Sequence, residues 1–440
     1  MTVSPERRRE VLDALRRGTV PVRGLDLLAV GLGRFEAAVD EELTTAQGGG
    51  GVFKALRGEY GSGKTFFARW LGERARRRGF AVSEVQVSEA ETPLHRLETV
   101  YRRMIERLST PAQASGALRG VVDAWFFSLE QDVLAGGDVD ESDEAALLAR
   151  SHDLMERRLA EVSRGAPAFA AALRGYREAL AGGRRDLAEG LLAWLGGQPN
   201  VAAEAKRSAG IKGALDHFGA LSFLQGLLVV LRDSGHPGLV LVLDEVETLQ
   251  RVRGDVRDKG LNALRQLMDE IDAGRFPGLY LLITGTPAFF DGPMGAQRLP
   301  PLAQRLQTDF STDARFDNPR AVQIRLRNFD LEGLEELGRG VRDLFAGGSP
   351  ESERLRALAT DAYLADLARG VTGALGGKVG IAPRIFLKKL VADILDRIEQ
   401  YPDFDPRRHY ALTLAPAELT REERGAQGGG VDPDEVDLEI

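Results

Sequence analysis

Eight residues, 58-GEYGSGKT-65, constrain this chain more than any other stretch of it. Three are glycines, set between an apolar run (52-VFKAL-56) and a helical pattern that begins at Lys64 and runs to about Arg78. Gly is the costliest ordinary residue to order in a helix, by roughly 1 kcal/mol against Ala. A turn that concentrates it needs a bare backbone. The spacing fits G-x-x-x-x-G-K-[ST] between a strand and a helix, where consecutive backbone N–H groups wrap phosphate oxygens. The helix N-terminus adds its partial positive charge. Gly58, Glu59, Tyr60, Gly61, Ser62, Gly63, Lys64, Thr65 and Phe66 are therefore the candidate residues for binding ATP. Lys64 is placed for the β- and γ-phosphates, and the Thr65 hydroxyl for Mg²⁺. Only eight of the 58 basic residues are lysine, so a lysine in the one position that demands it is not an accident of composition.

A nucleotide held this way needs an acid edge beside it. The run 240-VLVLDE-245 is a buried strand ending in two carboxylates. Asp244 is the candidate second ligand for Mg²⁺, at the carboxyl edge of a parallel sheet. Glu245 is placed to orient or deprotonate an attacking water. The strand in 278-GLYLLITGTP-287 brings Thr284 and Thr286 to the same edge, with Thr284 preferred as the hydroxyl that senses phosphate or water. Arg298 and Arg305 follow that strand, and Arg305 is the candidate arginine finger. Arg384 opens a helix after Pro383 and is the candidate cation of a lid. Lys378, Lys388 and Lys389 lie close to it and read as a solvated helix face.

Strands alternating with helices predict an α/β fold, a P-loop NTPase with a parallel sheet. A helical segment over 1–51 precedes the α/β core, which spans 52–326. Between the strand at 80–87 and the one at 238–244 the pattern is almost wholly helical. A strand–helix–strand unit needs only roughly 30 residues, so 110–210 reads as a helical insertion. Residues 327–410 read as a C-terminal helical lid or a winged-helix-like domain, and 411–440 as an acidic disordered tail.

The chain has no cysteine, and its five histidines show no ligand spacing. A disulfide framework and a thiolate metal site are thereby excluded. No apolar run approaches a membrane span and the first residues lack an apolar signal core, so the expectation is a cytoplasmic protein with no membrane partner. The net charge is -8, but residues 418–440 hold eight acids and two arginines, or -6, which leaves -2 for the rest. Charge therefore does not decide whether DNA is a partner.

Together these residues resemble the replication-initiator branch of the AAA+ class of P-loop ATPases. More closely, the chain resembles the P-loop ATP-binding proteins of bacteriophage-exclusion (BREX) systems, of the BrxD type. The stretches that carry this are 14-ALRRGTVPVRGLDLLAVGLGRFEAAVDEEL-43, 55-ALRGEYGSGKTFFARWLGERARRRGF-80, 92-TPLHRLETVYRRMIERL-108 and 238-GLVLVLDEVETLQ-250. The resemblance implies an ATPase of an anti-phage defence system that works beside other BREX proteins such as a helicase and a DNA methyltransferase. It also implies that residues 20–31 cover the adenine, which adds Val30 and Gly31 to the candidate site. Duplex DNA and a second copy of the chain stay open as partners. So do two other functions, a nucleotide-gated scaffold with negligible turnover and an initiator-like DNA-loading ATPase.

Overall fold

The computed structural model describes residues 3–419 except 138, 141, 161–165 and 377–381. Five parallel strands form one sheet: β1 (Val52–Arg57), β2 (Ala81–Gln86), β3 (Leu239–Asp244), β4 (Leu279–Gly285) and β5 (Gln323–Arg325). Their order is β2-β3-β4-β1-β5. The two central apolar runs, LVLVLD and LYLLITG, are buried along their whole length, as strands covered on both faces must be. Alternation divides them. Leu239, Leu241, Leu243, Leu279, Leu281 and Ile283 pack into one hydrophobic cluster, while Val240, Val242, Tyr280 and Leu282 pack into another on the opposite face. The three-residue β5 extends the sheet beyond β1, where the sequence predicts no strand. Its Gln323 and Ile324 pair with Ala55 and Leu56.

The segment expected to be a helical insertion holds, among its described residues, helices Leu118–Ala135, Glu144–Arg158, Pro167–Ala181, Arg185–Leu195 and Ala203–Ser208. It shares the sheet's core and does not form its own. Phe223, on the sheet-side helix His217–Asp233, meets Tyr101, Phe169 and Trp194 edge-on at ring separations of 5.8, 5.1 and 5.1 Å.

A separate hydrophobic cluster is built by the C-terminal helices Leu331–Ala346, Ser352–Leu358, Asp361–Ala374 and the helical run from Ala382 to Gln400. No strand is present among the described residues of 327–419, so the wing of a winged-helix domain is not among them. The first helix, Pro5–Arg16, buries Val11, Leu12 and Leu15 in this C-terminal cluster and not against the sheet. Arg16 clasps Asp396 with two hydrogen bonds of 2.8 Å. From there the chain crosses back to the sheet. Glu73, on the helix Lys64–Arg77, fixes the crossing by accepting the backbone N–H groups of Gly24 and Leu25 at 3.0 and 2.8 Å.

Two expectations for the C-terminal part fail. Lys389 is buried, not solvated, and pairs with Glu418 at 2.9 Å and Asp393 at 3.3 Å. Lys388 also reaches Glu418, at 3.1 Å. Burial opposes the Glu418 charge, yet these ammonium groups hold its carboxyl down at about 2. Residues 411–419 therefore belong to the packed structure, with Leu419 in the hydrophobic cluster. Lys378 and the rest of the acidic segment, 420–440, lie outside the described residues. Among the described residues no helix is long and apolar enough to cross a membrane.

Candidate nucleotide site

The glycines of the turn answer two steric demands. A Cβ at Gly58 would sit 2.2 Å from the Ser62 hydroxyl oxygen. Gly61 and Gly63 have φ of 78° and 91°, the left-handed region that other residues avoid. Gly63 caps the helix Lys64–Arg77, so its first N–H groups face the concave side of the loop. Lys64 is only 8% exposed. Its ammonium donates to the carbonyls of Gly58 at 2.8 Å and Glu59 at 3.2 Å.

Parallel strands bring the acids to the same edge. The Thr65 hydroxyl donates to Asp244 Oδ2 at 3.0 Å, and the Thr284 hydroxyl donates to Asp244 Oδ1. Thr284 itself accepts the backbone N–H of Glu245 at 3.2 Å. Because β4 lies between β1 and β3, Thr284 is fully buried between the loop and the acids. It sets Asp244 in place and does not face the cleft.

Thr65 and Asp244 offer hard oxygens side by side. Among the described residues no group of three or more His, Cys, Asp or Glu side chains could hold a metal alone. That donor set fits Mg²⁺, which takes one or two protein oxygens and completes its shell with water and phosphate. Glu245 is the only described non-glycine residue with positive φ, at 63°. Such a conformation costs on the order of 1–3 kcal/mol and accumulates at functional sites. Its carboxylate accepts the Gln86 side-chain amide at 2.9 Å.

These groups open on a cleft of about 820 Å³ between the sheet edge and the C-terminal helices. Tyr60 to Phe66, Asp244 and Glu245 form its floor, Val30 and Gly31 one wall, and Pro383 and Arg384 another. Gly58 and Glu59 contribute the carbonyls behind it. Arg384 reaches the cleft but also donates to the Glu418 carbonyl at 2.6 Å. Arg305 is outside the cleft, paired with Asp269 and Asp272 at 2.6 Å each, and Arg298 is paired with Asp258.

A family model described as "BREX system ATP-binding protein BrxC/D" matches residues 3–414. The chain belongs to this BrxC/D family. No curated protein and no solved structure matches it significantly. The match spans both the sheet and the C-terminal helices, so every wall of the cleft lies within the BrxC/D region.

Sequence reading misses two side chains of this BrxC/D site. Gln86 meets Glu245 only because β2 pairs with β3, with Gln86 opposite Asp244. Glu247 lines the cleft, 7% exposed, with one carboxylate oxygen 4.0 Å from the Lys64 ammonium. Burial pushes its carboxyl up to about 7, against the pull of Lys64 and with the help of Glu245 and Asp244. The run 244-DEVE-247 carried a signal for it, a third acid two residues past the pair.

Proposed function

We propose that this BrxC/D-family chain is a Mg²⁺-dependent ATPase of the initiator-like AAA+ kind. Its ATP binding and hydrolysis drive remodelling or assembly of a protein–DNA complex in phage defence, beside other BREX proteins such as a helicase and a methyltransferase. The observation that carries the reading is the hydrogen-bonded chain Thr65–Asp244–Thr284, which ties the glycine loop to the strand end that presents Glu245. Phosphoryl transfer asks the protein for position and charge more than covalent chemistry. Lys64 leaves the Gly58 and Glu59 carbonyls for phosphate oxygens. Thr65 and Asp244 hold Mg²⁺, which neutralises phosphate charge when bound. Glu245 orients and polarises the attacking water. The C-terminal helices act as a lid whose cation is Arg384. Phosphate release from ATP should be abolished by a chelator, and ATP should protect helices within 331–400 from protease. A chain with neither response would not be this enzyme.

One observation favours a second reading, a nucleotide-gated scaffold of negligible turnover. The amide of Gln86 occupies the carboxylate that must hold water. If this contact restrains hydrolysis, Gln86→Ala should raise turnover severalfold without changing ATP affinity. An unchanged rate removes the support for restraint.

A further inference from the structure

Glu247 has no role in the mechanism above, and its placement is costly. One of its oxygens is buried with no hydrogen-bond partner among the described residues. Such a group weakens a fold. Lys64 does not need it for hydrogen bonding, since its ammonium already has the carbonyls of Gly58 and Glu59. What Glu247 supplies is negative charge, beside the one ammonium that a bound phosphate requires. The neighbouring acids are compensated differently. Asp244 accepts from Thr65 and Thr284 and stands where Mg²⁺ would neutralise it, and Glu245 accepts from Gln86. Glu247 has the hydrogen bond of its own backbone N–H and, as counter-charge, Lys64 at 4.0 Å.

We propose that Glu247 is a positioning residue for Lys64, and that its carboxylate competes with nucleotide phosphate for that ammonium, weakening nucleotide retention and setting product release. The inference rests on reading the cleft as an ATP site. Once Lys64 turns to phosphate, Glu247 loses the counter-charge that Lys64 gave it, and that loss opposes nucleotide binding. One such charge within several ångströms is enough to change affinity about tenfold at the effective dielectric of a partly buried site.

The test uses the full chain with Mg²⁺. Equilibrium dissociation constants for ADP and ATP, steady-state turnover and melting temperature are measured for the parent, Glu247→Gln, Glu247→Ala and Glu247→Asp. Both charge-free variants should bind ADP about tenfold more tightly. KM for ATP should fall with it, kcat should fall as ADP lingers, and melting without nucleotide should be unchanged or higher. Glu247→Asp retains the charge and should stay near the parental affinity. Unchanged or weaker ADP binding in the charge-free variants, with a parent that binds normally, overturns this inference alone. Weaker binding together with a lower melting temperature assigns Glu247 a structural role and overturns it as well. A parent that binds neither nucleotide overturns the ATP-site reading itself.

Discussion

Lys64→Ala is expected to weaken ATP binding by at least roughly a hundredfold, the equivalent of about 3 kcal/mol for a lost charge-assisted contact. Calorimetric or fluorescent-nucleotide titration reads this directly, and parental affinity would end the P-loop assignment. The fold of the variant has its own signature, because Lys64 is buried and faces Glu247. Without the ammonium, the Glu247 carboxyl rises above its present value of about 7. A raised carboxyl favours the folded state while protonated and loses that advantage as pH climbs through its folded value. Parent and variant should therefore melt alike near pH 5.5. The variant should fall behind as pH rises from 7 to 9. Equal melting across that window would show that Glu247 does not depend on Lys64 for compensation.

Glu245→Gln is expected to slow hydrolysis by about 10²–10⁴-fold with ATP still bound, the range that a positioned general base contributes. The substitution keeps the left-handed backbone, the N–H bond to Thr284 and the volume of the side chain. Only the charge that polarises water is lost. Single-turnover phosphate release separates this from a binding defect, and a parental rate would place the base elsewhere.

The glycine loop was legible because its geometry is local. Gly61 and Gly63 take positive φ within a few residues of the lysine they present, so spacing alone encodes the shape. Strands β3 and β4 announced themselves by unbroken apolar runs, and their acids and threonines followed from strand direction. What stayed hidden depends on distant partners. Lys389 looks solvated until Glu418 arrives from 29 residues away. Gln86 and Glu245 are 159 residues apart and meet only across paired strands. The three residues of β5 are too few to show a period, so nothing in the sequence marks the edge strand beside β1.

The clasp between Arg16 and Asp396 joins residues 380 apart. Thermodynamically that span is cheap, since each doubling of a loop adds only about 0.6 kcal/mol. In time it is not. A ribosome adding roughly 5–20 residues per second separates the two partners by about 20–75 s. For most of that interval the helix Pro5–Arg16 carries Val11, Leu12 and Leu15 with no cluster to receive them. The sheet can form during synthesis, but the cleft wall that bears Arg384 closes only when the last helices find the first. Translation order thus makes the two-walled cleft the final part of the molecule to mature, and a chain cut short before those helices carries the loop without it.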